Sequence, residues 1–205
     1  MEKKLVLVLF MVALIAGGAF AEDKLMSAGV GFYGAYETQT ATASYNGISA
    51  TETDNTLYYG AYGFFDIKYA EVSVNFIYND VDFLGSKLTY NSLGFGLIGK
   101  YPFAVSDAIA IFPFVGINYQ MLLNADWEGS TWDIRNKEDY ARLYILLGVG
   151  VDFNLTDAIY LRVNAGYGIG LNNKRENDLI SSAKPVETTL FTGQVPFKLA
   201  VGFRF

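Results

Sequence analysis

The side chains in this sequence best suited to chemistry are the acids Asp66, Glu71 and Asp152 and the bases Lys100, Arg162 and Arg204. Two carboxylates as close as Asp66 and Glu71 can divide acid and base roles, because one holds a proton against the charge of its neighbour. Facing arginine or lysine they form ion pairs instead, and buried charges persist only when paired in this way. The chain has no His and no Cys. Ser-His-Asp and Cys-His nucleophiles are therefore ruled out. No cluster of metal ligands and no phosphate-binding loop is visible, so neither a metal nor a cofactor is expected. GYGIG, residues 166–170, opens no helix and is not a dinucleotide loop. Trp127 and Trp132 stand among mixed charges in NADWEGSTWDIRNKED, residues 124–139. Exposed tryptophans serve recognition of a ligand, and equally they anchor at an interface.

Whether these groups meet depends on the elements that carry them. In IYLRVNAGYGIGL, residues 159–171, apolar side chains alternate with Tyr, Arg, Asn and Gly. ARLYILLGVGVDF, residues 141–153, repeats the pattern. Period two over such lengths predicts half-apolar strands, and the glycines weaken a helical reading. Eight strands follow, near 25–37, 56–67, 70–80, 87–102, 109–123, 140–153, 158–171 and 194–205. The links 2–3, 4–5 and 6–7 are short, while 1–2, 5–6 and 7–8 are long and polar. Asn46-Gly47 favours a two-residue hairpin turn. Pairing Tyr45 with Ile48 then matches Tyr36 with Leu57, Ala28 with Phe65 and Met26 with Ile67, and the apolar faces of strands 1 and 2 coincide. A one-residue slip would turn one of them over. FAVSDAIAI from Phe103 and FNLTDAIYL from Phe153 each place a Ser/Thr-Asp turn before a new strand. Pro113 and Pro196 fall inside predicted strands, where each implies a bulge or a strand start.

The pattern predicts an all-β, membrane-spanning, eight-stranded antiparallel up-and-down β-barrel. A soluble barrel with an apolar cavity would show the same alternation. Three features favour the membrane. The apolar face carries scarcely a charge, and the other face is Gly-rich, as a narrow interior filled by side chains requires. Tyr101, Phe153, Phe203 and Phe205 gather at one end of the apolar face, and Tyr36, Tyr59, Tyr78 and Tyr119 towards the other, as two interfacial girdles would. On this register Asp66, Glu71, Lys100, Asp152, Arg162 and Arg204 point into the lumen near the short-turn rim. Glu37, Arg142 and Lys198 lie inward further up, and Tyr58, Tyr62, Phe64, Tyr90, Tyr144 and Tyr160 fill the space between. The near balance of acid and base favours a structural ion-pair plug. A narrow ion path and acid–base catalysis by Asp66 and Glu71 are the other uses of such a face.

The first residues set the compartment. MEKKLVLVLFMVALIAGGAFA has Lys3 and Lys4, an apolar run, and an Ala19-Phe20-Ala21 cleavage pattern. A secretory leader over 1–21 is expected, with a barrel domain over 22–205. The whole chain carries 15 Lys+Arg and 21 Asp+Glu. Losing Glu2, Lys3 and Lys4 leaves 13 cations against 20 anions, a net −7. Such an acidic exported chain is a poor nucleic-acid binder.

The last strand carries the most specific match to a known group. Phe197, Leu199, Val201, Phe203 and Phe205 alternate on one face. Together with the strand pattern, they make the chain resemble small eight-stranded bacterial outer-membrane barrels, the OmpA-type transmembrane domain and OmpX-like proteins. In those families such a strand is recognised by the barrel assembly machinery, so the resemblance implies that partner during biogenesis. It also implies outer-membrane lipid as the surroundings, a monomer, and no enzymatic activity. The implied role is structural or one of surface interaction, adhesion included, with an extracellular ligand met through the loops. A narrow channel or conduit for ions or small apolar molecules is the alternative. Nothing after Phe205 resembles the peptidoglycan-binding domain of OmpA, so cell-wall anchoring is not implied.

Overall fold

The computed structural model describes residues 26–45, 48–83, 86–127, 130–132, 141–171, 174–177 and 186–205. The predicted leader at 1–21 and the turn residues Asn46 and Gly47 lie outside them. The strands are β1 (Met26–Tyr45), β2 (Ile48–Ile67), β3 (Ala70–Phe83), β4 (Ser86–Lys100), β5 (Phe103–Ser106), β6 (Ile109–Trp127), β7 (Ser130–Trp132), β8 (Arg142–Asn154), β9 (Ile159–Gly170), β10 (Lys174–Asn177) and β11 (Val186–Arg204). The long ones pair in the order β1-β2-β3-β4-β6-β8-β9-β11, all antiparallel, and β11 pairs back onto β1 to close the ring. Closure leaves no unpaired edge in the membrane, where none could be satisfied. All eight predicted strands are present.

The register of β1 on β2 is the one the Asn-Gly tip requires, with Tyr45 opposite Ile48 and Met26 opposite Ile67. Both strands stay paired along their whole length, so the first long link is an extended ladder. At the other end, Lys68 takes a left-handed backbone (φ 34°) in the tight turn before Ala70. Tight hairpin turns need such a conformation. Thr156 shows the predicted turn chemistry, its hydroxyl accepting from the amides of Ala158 (3.2 Å) and Ile159 (2.9 Å).

Both prolines sit where no amide proton is needed. β6 pairs with β4 as far as Phe114 opposite Lys100, then with β5 from Ile111 opposite Phe103. Pro113 falls at this change of partner. Pro196 lies within β11, and the ladder to β9 is interrupted beside it, between Gln194 opposite Gly168 and Phe197 opposite Ala165. A missing donor breaks a ladder in just this way. The register resumes unchanged, so Pro196 is neither a bulge nor a strand start. A bulge does occur in β6, where Leu123 is the extra residue between Asn91 opposite Asn124 and Ser92 opposite Leu122. It turns Leu122 and Ala125 both inward, against Tyr90.

The distribution of side chains is that of a soluble protein turned inside out. Val30, Leu57, Leu97, Val115, Leu147 and Leu199 are exposed on the outer wall, while Glu37, Glu71 and Arg162 are at most 1% exposed inside it. This excludes the soluble alternative, whose apolar face would line a cavity. Aromatic rings band the wall at both ends. Tyr69 and Tyr101 stack at 5.7 Å near the short turns, and Tyr59 and Tyr78 meet at 5.3 Å towards the other rim.

Beyond that second band the wall divides. β2 and β3 pair only from Tyr59 opposite Tyr78 downwards. Above this level β2, β1, β11 and β10 continue as one blade. β3, β4, β6 and β7 continue as another.

Candidate functional site in the barrel lumen

Six strands converge on Arg162. The cross-strand pairs Asp66–Glu71 on β2–β3 and Asp152–Arg162 on β8–β9 face one another across the narrow interior. The guanidinium donates Nε to Asp152 Oδ1 (2.7 Å) and Nη2 to Asp152 Oδ2 (2.8 Å), a two-pronged contact. It also donates Nη2 to Asp66 Oδ2 (2.9 Å) and Nη1 to Glu71 Oε2 (2.8 Å). The rings of Phe64, Phe112 and Tyr160 stand 4.7, 4.9 and 5.1 Å from its centre. Lys100 donates to Asp66 at 2.5 Å, and Lys198 Nζ lies 3.8 Å from Glu71 Oε1. Three carboxylates thus meet three cations, and no net charge is left in the low-dielectric interior.

Five of the six predicted lumen charges are brought together here. Arg204 is not one of them. It donates to Asn154 Oδ1 (2.7 Å) and lies 4.4 Å from the centre of the Tyr160 ring. The Tyr160 ring lies against both guanidiniums, and its hydroxyl is held 2.8 Å from Ser27 Oγ. At the last rung of β11 Arg204 meets a neutral amide at the rim instead of a carboxylate. Lys198, expected higher up, joins the lower cluster because its long stem bridges the difference in level.

A second cluster closes the upper lumen. Glu37, with no exposed surface, accepts from Arg142 and Tyr144. It also accepts from Tyr58 (2.9 Å) and Gln39 (2.6 Å). Again one anion meets one cation, with neutral donors filling the remaining lone pairs, as a buried carboxylate requires.

Between the clusters lies a belt of amides that the sequence reading did not single out. Asn75, Asn118, Asn164 and Gln194 are at most 2% exposed, and each has a side-chain polar atom without a protein partner. Glycines make room for them. A Cβ on Gly94 would stand 3.1 Å from Asn75 Nδ2, and one on Gly150 only 2.4 Å from Asn164 Oδ1. The recurrent pairing of inward Asn or Gln with inward Gly was the available sign.

The backbones of Trp127 and Trp132 lie in the β6–β7 hairpin, opposite Ser130 and Ala125. Their side chains lie outside the described residues, and so does the whole segment 133–140.

No protein-family model and no curated protein matches the sequence. In fold the chain is similar to the outer membrane protein OprG from Pseudomonas aeruginosa, at 11% identity, over 88% of this chain and 95% of that one, with a TM-score of 0.51. Neisserial surface protein A matches at 18% identity over 86% and 99%, with a TM-score of 0.42. The outer membrane protease OmpT from Escherichia coli matches at 6% identity over 88% and 96%, with a TM-score of 0.46. The likeness to OprG shows the fold, and at that identity the fold alone. Closed barrels with an apolar outer band and a polar interior are the spanning architecture of bacterial outer membranes. The chain is an eight-stranded antiparallel β-barrel of that membrane.

Proposed function

We propose that this is a non-enzymatic outer-membrane protein acting at the cell surface, through structural support or contact with an extracellular partner, adhesion included. One observation carries the reading: the lumen is closed at two levels by ion clusters, while the wall continues past its aromatic band as two paired blades. A polypeptide that only conducted would have no use for the blades, and the clusters would obstruct it. Catalysis by Asp66 and Glu71 is disfavoured because both are buried acceptors of Arg162. Removal of residues 1–21 on export belongs to the same reading.

A narrow channel is the second reading, favoured by the amide belt, whose unpartnered polar atoms suit water. Single-channel recording of the refolded protein in a planar bilayer separates the two. The expected record is closed, with rare openings at most. Steady, large, ion-selective conductance would overturn the surface reading and move the charged residues from packing to transport.

Assembly is tested at Phe205, where the terminal strand meets the short-turn rim. Its ring lies 6.4 Å from Phe65 on the outer wall, and its amide donates to Met26 O (3.0 Å). Phe205→Ser removes one exposed apolar side chain, so refolding in detergent should change little. If Phe197, Leu199, Val201, Phe203 and Phe205 form the recognised element, the amount inserted in cells should fall several-fold. Equal surface levels of variant and wild type at native expression would show that Phe205 is not read by the assembly machinery.

A further inference from the structure

The division of the rim leaves β2 with a bare side. Below Tyr59 its outer neighbour is β3, but among the described residues nothing pairs with that side above it. β1 holds the opposite side throughout, so this stretch is a supported strand with one edge open among the described residues. Thr51, Glu52, Thr53, Asp54 and Asn55 are all exposed. The amide of Asn55 reports the direction of the open groups, since it donates to Asp54 Oδ1 (2.8 Å) and not to β1. By the two-residue period of a strand, the amides of Thr51, Thr53 and Leu57 point the same way. They continue the row that Tyr59 begins with β3.

The two faces of this edge differ. Thr51, Thr53 and Asn55 are bonded across the ladder to Thr42 (3.1 Å), Thr40 (3.2 Å) and Thr38 (2.8 Å). Glu52 and Asp54 occupy the other face with no cation bonded to either among the described residues. Exposed edges invite another strand, and charge decides which strand comes. A second copy is disfavoured. Two such edges related by a two-fold axis through residue 53 would set the acids at 52 and 54 opposite each other, and like charges directly opposite are destabilising. A chain with basic residues at every second position meets the acids instead.

We propose that the open edge of β2, from Ala50 to Tyr58, receives an extended basic segment of a partner polypeptide as an added strand. Main-chain hydrogen bonds would supply the affinity, and Glu52 and Asp54 the selection. This inference rests on the surface-interaction reading and names its site and the chemistry of the partner.

The test uses the full protein refolded in lipid nanodiscs and a fluorescent octapeptide of alternating threonine and lysine. Wild type should bind it. The double variant Glu52→Lys/Asp54→Lys turns attractive cross-strand pairs into repulsive ones and should bind about tenfold more weakly. It should instead take up the threonine–glutamate octapeptide. Thr53→Pro keeps both charges and removes one edge amide, a change an edge strand tolerates, and it too should bind about tenfold more weakly. Protease resistance confirms that each variant is folded. Three results would each overturn the proposal: no binding by wild type, unchanged binding by the charge variant, or unchanged binding by Thr53→Pro, which would mean attraction by charge alone. The broader reading is checked separately, by antibody access on intact cells to a tag placed at Asn46-Gly47. A tag that is reached without any peptide binding sinks this inference and leaves that reading standing.

Discussion

Arg162→Ala should lower the stability of the barrel by about 3–5 kcal/mol, the usual cost of removing one partner from a buried ionic group. The guanidinium is 1% exposed and makes the four contacts that gather Asp66, Glu71 and Asp152. Without it, three carboxylates face two ammonium groups. Arg162→Lys keeps the charge, but a single ammonium cannot reproduce a planar fork that serves three acids, so it should recover only part of the loss. Val163→Ala, one residue along on the lipid-facing wall, should cost far less, since Val163 is 41% exposed. Urea titration of the folded protein in detergent measures all three. An Arg162→Ala midpoint equal to that of wild type would show that the cluster contributes nothing to the fold.

Glu37→Ala should cost about 2–4 kcal/mol, from the buried Tyr144 hydroxyl, the half-buried Tyr58 hydroxyl and a guanidinium left without their acceptor. The expected loss is smaller than at Arg162 because the Arg142 side chain is 23% exposed and can turn towards water at the mouth. Glu37→Gln keeps an acceptor for the hydroxyls and should fall between. The two sites also act in series on any path through the lumen. Each single variant should therefore open rarely in a planar bilayer, and the double variant Glu37→Ala/Arg162→Ala should open more often than the two added together. A double variant as silent as wild type would mean that the aromatic packing around Phe64, Phe112 and Tyr160 closes the lumen without the ions.

The period of two was enough to place the eight long strands, because a barrel wall with lipid on one side and a packed lumen on the other enforces alternation along each strand, broken among the described residues of β6 only at the Leu123 bulge. Asn46-Gly47 was enough to set the β1–β2 register, since a two-residue turn leaves one pairing that keeps both apolar faces outward. Levels across the barrel were harder to see. The strands of a closed barrel are tilted, so distance from a rim along one strand does not give height relative to another. That is why Lys198 reaches Glu71 and Arg204 does not join the carboxylates. The change of partner at Pro113 was hidden for a different reason. β5 is too short for its alternation to stand out, and only the geometry shows one strand serving two neighbours in turn. The same Asn46-Gly47 tip also extended β1 and β2 above the membrane, as the paired ladder shows, but β7, β10 and the upper parts of β3, β4, β6 and β11 were not legible, because the polar residues there leave no apolar stripe to read.

The route by which Arg162 acquires its three acids has a kinetic consequence. Asp152 lies ten positions away along the chain, on the neighbouring strand. Asp66 and Glu71 lie 96 and 91 positions away, on the opposite wall. The first contact can form as soon as a single hairpin does, whereas the other two wait until the sheet has curled round on itself. Loss of the Asp152 carboxylate should then slow the folding reaction itself. Loss of Asp66 or Glu71 should leave that rate nearly unchanged and speed unfolding instead. The acids on the opposite wall would act as a latch set after the rate-limiting step, lengthening the lifetime of the finished barrel without hastening its formation.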